Sequence, residues 1–282
     1  MRWPPPPDWP MAEVSRQVES APHRWHVQEQ GTGPTILLLH GAGGATQSWR
    51  GVFPLLARDF HVVAVDLPGQ GFTRTGTRGR HGVAEMAADL IALCRHAGWT
   101  PDLIVGHSAG VPIALQMTLD GVQPRCGVVG INAALATFKG AAGLFFPLMA
   151  KAMAAVPLTA RVFAATTTPG RVRQLLAGTR SVIDAQGQAL YARLASDTDH
   201  VDGTLAMMAQ WDLQRLARRL PAVTSPVLLL TGDTDSAVPP STSCDAARKM
   251  PNARQHSMGP LGHLAHEEAP ERVAGLIADQ MR

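Results

Sequence analysis

Short apolar runs alternate with helix-patterned stretches along this 282-residue chain. Residues 36–39, 60–67, 103–105, 126–131 and 226–231 are rich in valine, isoleucine and leucine, and residues 25–30 read as an early strand ahead of them. Continuous apolar runs of this length are the pattern of strands buried on both faces, as in a parallel sheet. Between them the period changes. Val83, Met86, Leu90, Leu93 and Ala97 recur at intervals of three and four before Gly98, which predicts a helix covering the sheet and a glycine stop. Ile113, Leu115, Gln116 and Leu119 continue a second helix after residue 108. The alternation indicates an α/β fold with a mostly parallel sheet and flanking helices. The strand pattern lapses after residue 132 and resumes at Val227. Residues 133–220 are therefore expected to form an inserted helical cap between core segments 23–132 and 221–282, preceded by a proline-rich arm over 1–22.

The run 103–105 leads directly into Gly106-His107-Ser108-Ala109-Gly110, and the second helix follows. A serine between glycines at a strand-to-helix junction has the form of a nucleophile elbow, in which crowding of the turn excludes larger flanking side chains. A serine hydroxyl is a weak nucleophile until a neutral imidazole takes its proton, and a buried carboxylate then orients and stabilises that imidazole. Both partners are present in the order serine, acid, histidine. The strand 226–231 runs into Gly232-Asp233-Thr234-Asp235, where two aspartates compete. Asp235 is favoured because the loop must carry its carboxylate clear of the strand end, and Asp233 is assigned to bracing that loop. Gly262-His263 supplies the base, with His266 expected to orient the loop. The oxyanion formed during attack needs backbone donors, each worth about 10²–10³ in rate. Ala109 offers one. Ala42, in His40-Gly41-Ala42-Gly43-Gly44 after the strand 36–39, offers the second. That loop lacks the glycine spacing of a dinucleotide site and the Lys-Ser or Lys-Thr of a phosphate loop, so no cofactor is expected.

Composition narrows the classes further. A formal net charge of +3, with arginines scattered along the chain, does not suggest nucleic-acid binding. Cys94, Cys126 and Cys244 show no metal-ligand spacing, which points to reduced, buried thiols and a cytoplasmic setting, and no metal site is expected. Met1-Arg2-Trp3-Pro4-Pro5-Pro6-Pro7-Asp8-Trp9-Pro10 lacks the apolar centre of a signal peptide and reads as an extended polyproline arm that packs through Trp3 and Trp9 or recruits a partner. The stretch 133–165 is apolar enough to suggest a membrane, but Lys139, Lys151, Pro147 and Pro157 interrupt it. No membrane span is expected. An apolar lid able to touch a membrane surface fits better, with Met149, Met153, Met207 and Met208 suited to a large, irregular ligand or to the cap's own core.

These residues together resemble the α/β-hydrolase fold through His40-Gly41, Asp66 to Gly71, Gly106 to Gly110, Asp235 and Gly262-His263. A closer resemblance is to the magnesium-chelatase accessory (BchO-type) hydrolases of bacteriochlorophyll biosynthesis. It rests on Asp8-Trp9-Pro10, Arg24-Trp25-His26-Val27-Gln28, the serine motif, Asn132-Ala133-Ala134-Leu135, Met207-Met208-Ala209-Gln210-Trp211-Asp212-Leu213 and Gly262-His263-Leu264-Ala265-His266-Glu267-Glu268. The resemblance implies a role near magnesium insertion into a porphyrin, a small apolar or tetrapyrrole-linked substrate, and magnesium-chelatase subunits as partners. Two functions are compatible with it: ester or acyl hydrolysis by Ser108, His263 and Asp235, or a non-catalytic protein that holds a tetrapyrrole.

Overall fold

The computed structural model describes residues 1–136 and 158–282. Its centre is an eight-stranded sheet in the order β1-β2-β4-β3-β5-β6-β7-β8. The strands are β1 (Ser15–Ser20), β2 (His23–Gln30), β3 (Thr35–Leu39), β4 (His61–Val65), β5 (Leu103–His107), β6 (Gly127–Ile131), β7 (Val227–Thr231) and β8 (Ala253–Ser257). The pairs β1/β2 and β2/β4 are antiparallel, and every pair from β4 to β8 is parallel. Side chains alternate between two apolar layers. Leu37, Leu39, Val63, Val65 and Ile104 enter one layer, whereas Ile36, Leu38, Val62, Ala64 and Leu103 enter the other. Burial on both faces explains why these strands read as unbroken apolar runs.

Helices α1 (Phe53–Leu56), α2 (Val83–Ala97) and α3 (Gly110–Leu119) belong to the first half of the core. The stripe on α2 is the one expected: Val83, Met86, Leu90 and Leu93 are buried, and Gly98 closes the helix at φ 75°. A left-handed residue costs least at glycine, which makes it a natural helix stop. Between β6 and β7 the chain adds α4 (Leu158–Thr166), α5 (Pro169–Gly178), α6 (Ala185–Ala195), α7 (Thr198–Ala209) and α8 (Gln214–Arg219). Side chains cap three of these: Thr168 accepts from Arg171 N–H, Asp184 from Gly187 N–H and Asp197 from His200 N–H. The core closes with α9 (Pro240–Ala247), α10 (Ala265–Glu268) and α11 (Pro270–Met281).

Two regions differ from expectation. Ser15–Ser20, expected to belong to the proline-rich arm over 1–22, is an edge strand that buries only Val18 and Ser20. A strand with one neighbour and one wet face has no continuous apolar run. β8 is hidden for the same reason, since none of its residues is fully buried. The proline arm is folded back instead of extended: Trp9 N–H donates to Pro6 O at 2.9 Å. Trp9 is buried edge-on to Phe72, with ring centroids 5.0 Å apart, and shares a cluster with Ala45 of the core and Leu190 and Leu194 of α6. The arm is thus a wedge between core and insertion, and Trp3 lies beside His26.

Lys139, Lys151, Pro147, Pro157, Met149 and Met153 lie outside the described residues. Among the described residues no helix is long and apolar enough to cross a membrane.

Candidate active site

Ser108 sits at the C-terminal end of β5 with φ 49°, a left-handed conformation that side chains other than glycine adopt rarely. Its neighbours fix it: Ser108 N–H donates to Ile131 O at 2.9 Å, and Ser108 O accepts from Val111 and Ala134. The glycine requirement on both flanks is steric. A Cβ on Gly106 would lie 2.6 Å from Gly110 C and Val111 N, and one on Gly110 would lie 2.3 Å from Leu39 O.

Ser108 Oγ lies 3.0 Å from His263 Nε2, and His263 Nδ1 lies 2.8 Å from Asp235 Oδ2. The carboxylate can only accept, so Nδ1 carries the proton and Nε2 presents its lone pair to the serine hydroxyl. The Asp235 side chain is inaccessible to solvent. It also accepts from Asn132 Nδ2 at 2.8 Å and from the N–H groups of Ala237 and Val238 at 2.8 and 2.9 Å. Asp233 points elsewhere, accepting from Ser257 Oγ at 2.6 Å and tying its loop to β8. Gly262 lets the histidine loop pass under the insertion, because a Cβ there would lie 2.4 Å from Arg180 O. Thr179 O then receives His263 N–H, and Ser181 Oγ receives Leu264 N–H.

Among the described residues His266 makes no hydrogen bond through either ring nitrogen. It packs at a tilt against His107 and Trp49, with centroids 4.3 and 4.7 Å away, and burial pushes its pKa down to about 3. Its contribution is therefore packing of a neutral ring beneath the loop. His107 is held well below the ordinary histidine range by burial, and its Nε2–H donates to His263 O at 2.9 Å.

The loop bearing Ala42 is pinned from three sides. His40 donates Nδ1–H to Gly41 O and accepts Leu67 N–H at Nε2. Gln70 Oε1 accepts Gly43 N–H at 2.8 Å. From α7, His200 accepts Gly71 N–H at Nδ1 and donates Nε2–H to Gly43 O at 3.2 Å. A Cβ on Gly41 would lie 2.8 Å from His107 Nδ1 and 3.0 Å from Ser108 Cβ, so the loop runs against the elbow. Among the described residues neither Ala42 nor Ala109 N–H has an internal acceptor.

A cavity of about 480 Å³ opens over these groups. Ala42, His107 and His263 lie at its base, and its walls include Phe163, Val172, Leu175, Val201, Leu205 and Met208. Such a space takes a predominantly apolar ligand with a few polar anchors. Of Met207 and Met208, Met208 lines it, while Met207 is buried in the core with its sulfur near Gln70 Nε2. Asn132, Gln70 and His200 were not singled out from the sequence as site residues. Asn132 carries a weak signal, being the polar residue just beyond β6 in a left-handed conformation, φ 48°.

The model of the alpha/beta hydrolase fold family matches residues 34–270. The magnesium-chelatase 30 kDa subunit of Rhodobacter capsulatus is 45% identical over 279 residues, covering 97% of this chain and 96% of that protein. Among solved structures, a thermophilic esterase from Thermogutta terrifontis superposes with TM-score 0.76 at 22% identity, over 95% of this chain and 98% of its own. An alpha/beta hydrolase fold protein from Burkholderia ambifaria gives 0.78 at 20%, over 94% and 97%. At these identities the two structures establish the fold alone.

Proposed function

The chain belongs to the alpha/beta hydrolase fold family and is a homologue of the magnesium-chelatase 30 kDa subunit, and we propose that it is a serine hydrolase of the bacteriochlorophyll pathway, cleaving an ester or acyl bond of an apolar, tetrapyrrole-linked substrate. The observation that carries this reading is the continuous relay Ser108 Oγ, His263 and Asp235, at 3.0 and 2.8 Å, beneath an apolar cavity. Ser108 Oγ attacks the carbonyl carbon while His263 Nε2 takes the hydroxyl proton, and the carbonyl oxygen becomes an oxyanion facing the Ala42 and Ala109 N–H groups. Collapse of the tetrahedral species breaks the bond to the leaving group, which receives the proton from His263. Water then attacks the acyl-serine, giving its proton to His263, and the second collapse returns that proton to Ser108 and releases the acid. Asp235 stays ionised throughout and stabilises the imidazolium. The homologue's name supports chelatase subunits as partners.

A second reading takes that name literally: an accessory protein that holds a tetrapyrrole and performs no hydrolysis, since fold and function separate readily. Fluorophosphonate labelling followed by intact-mass detection decides between them. Labelling at Ser108 that protoporphyrin suppresses is the expected result. Folded protein that takes no label would overturn the hydrolase reading in favour of the accessory one. Ser108→Ala is expected to lower turnover by a factor on the order of 10⁴–10⁶, leaving a remainder from the oxyanion donors; near-normal turnover would remove Ser108 from the nucleophile role.

A further inference from the structure

Among the described residues the large apolar side chains that face solvent are confined to one stretch: Leu158, Val162, Phe163, Leu175 and Val182, exposed by 62, 53, 41, 61 and 81%. They lie on α4, α5 and the loop leading to α6. Helix α4 shows why they are outward. Ala160 and Ala164 form its inner face, packed with Val201 and Leu205 of α7, whereas Leu158 and Val162, four residues apart, stand one above the other on the opposite face. Single exposed apolar residues need no explanation, but a group confined to one stretch of the chain does.

Charge is segregated onto the same stretch. Residues 133–183 contain no Asp or Glu, while the rest of the chain carries more acidic than basic side chains. Arg161, Arg171, Arg173 and Arg180 are all exposed. Among the described residues no carboxylate pairs with any of them. Phe163 and Leu175 also line the cavity above Ser108, so the exposed rim and the pocket wall are one apolar surface.

We propose that this face, the apolar rim of the pocket flanked by unpaired arginines, docks on an anionic lipid bilayer, so that an apolar substrate passes from the acyl region into the cavity without crossing water. Each half of the pattern has a physical role. Exposed leucine, valine and phenylalanine enter the headgroup boundary, and arginines draw the face to anionic lipid. Neither alone anchors a protein stably, but two weak signals together do. A soluble acidic partner would use the arginines but would leave unexplained why the apolar rim continues into the pocket. Docking itself does not depend on the hydrolase reading; only the delivery step rests on it.

Flotation with phosphatidylcholine vesicles, with and without phosphatidylglycerol, tests the proposal on the full chain. The expected result is co-flotation with the phosphatidylglycerol vesicles, weakened at high salt, and none with phosphatidylcholine alone. Arg171→Gln with Arg173→Gln is expected to weaken partitioning roughly twenty-five-fold, about fivefold for each charge near the surface. Leu158→Ser with Val162→Ser is expected to reduce it at unchanged charge. These four positions are exposed and touch none of the catalytic groups, so hydrolysis of a soluble p-nitrophenyl ester is expected to stay at the wild-type level. Wild-type protein that stays in the soluble fraction overturns the docking proposal, as does flotation that neither pair of substitutions alters. Fluorophosphonate labelling in parallel keeps the two claims apart: labelling without flotation sinks docking alone, and flotation without labelling sinks the hydrolase reading alone.

Discussion

His200 offers a direct way to ask whether the insertion controls the chemistry beneath it. Its ring is buried and its pKa is pushed down to about 4, chiefly by burial, so it is neutral at pH 7. One neutral tautomer satisfies both contacts: Nδ1 accepts Gly71 N–H at 2.9 Å and Nε2–H donates to Gly43 O at 3.2 Å. Gly43 is thereby held at its carbonyl by α7 and at its N–H by Gln70, directly beside Ala42. His200→Ala leaves the buried Gly71 N–H and the half-buried Gly43 carbonyl without partners, at a cost of about 1–3 kcal/mol for the buried N–H and less for the carbonyl, before relaxation or water entry. Relaxation of the loop to recover those bonds moves Ala42 N–H off the oxyanion, and a shift of about 1 Å in catalytic geometry costs as much as 10²-fold. The expected outcome is a kcat lower by about ten- to a hundredfold on a small soluble ester with KM changed little, because the oxyanion contact matures only in the transition state. His200→Gln, which can donate to Gly43 O, is expected to recover part of kcat. Steady-state kinetics on variants with native circular dichroism provide the check. An unchanged kcat, or a loss confined to KM, would refute the positioning role and leave His200 as pocket wall.

Asp235→Asn is expected to lower kcat by about 10⁴, by disfavouring the tautomer that presents Nε2 to serine, and Asp233→Asn to cost far less; the reverse ranking in the same assay would move the acid role to Asp233. Acid lability provides an independent check on packing. His40, His107, His200 and His266 all have pKa values lowered by burial, so below about 6.5 the unfolded chain binds protons that the folded one refuses. Stability is thus present above the ordinary histidine range and is lost as pH falls toward the lowered values, by up to about 1.4 kcal/mol per pH unit per histidine. Urea midpoints are expected to drop between neutral and mildly acidic pH, less steeply in His266→Phe. A wild-type midpoint independent of pH would contradict the neutral buried rings.

Much of this architecture is legible in one dimension because its signals are local. A strand buried on both faces leaves an apolar run, and β3 to β7 each do so. The elbow is partly local: Gly106 is demanded by Gly110 and Val111 within five residues, whereas Gly110 is demanded by Leu39 O at the end of β3, far away in the chain. The strands that escaped notice, β1 and β8, lie at the sheet edges, where one-sided burial or exposure removes the run. The proline arm misled in another way. Its composition favours an extended chain, yet Trp9 gains more by burial against Phe72, Leu190 and Leu194 than an extended segment could supply.

The sequence by itself determined the order of elements, the strained position of Ser108 and the residue types able to activate it, because these follow from periodicity, glycine sterics and acid–base chemistry. Tertiary structure alone decided which partners meet. Asp235 and Asp233 are two residues apart and chemically identical, and they separate only because Asn132 and two N–H groups converge on one while Ser257 of β8 takes the other. The same holds for His200, whose hold on Gly43 spans 157 positions of chain. A contact of that length has no local signature, and its existence depends on the insertion folding back over the sheet.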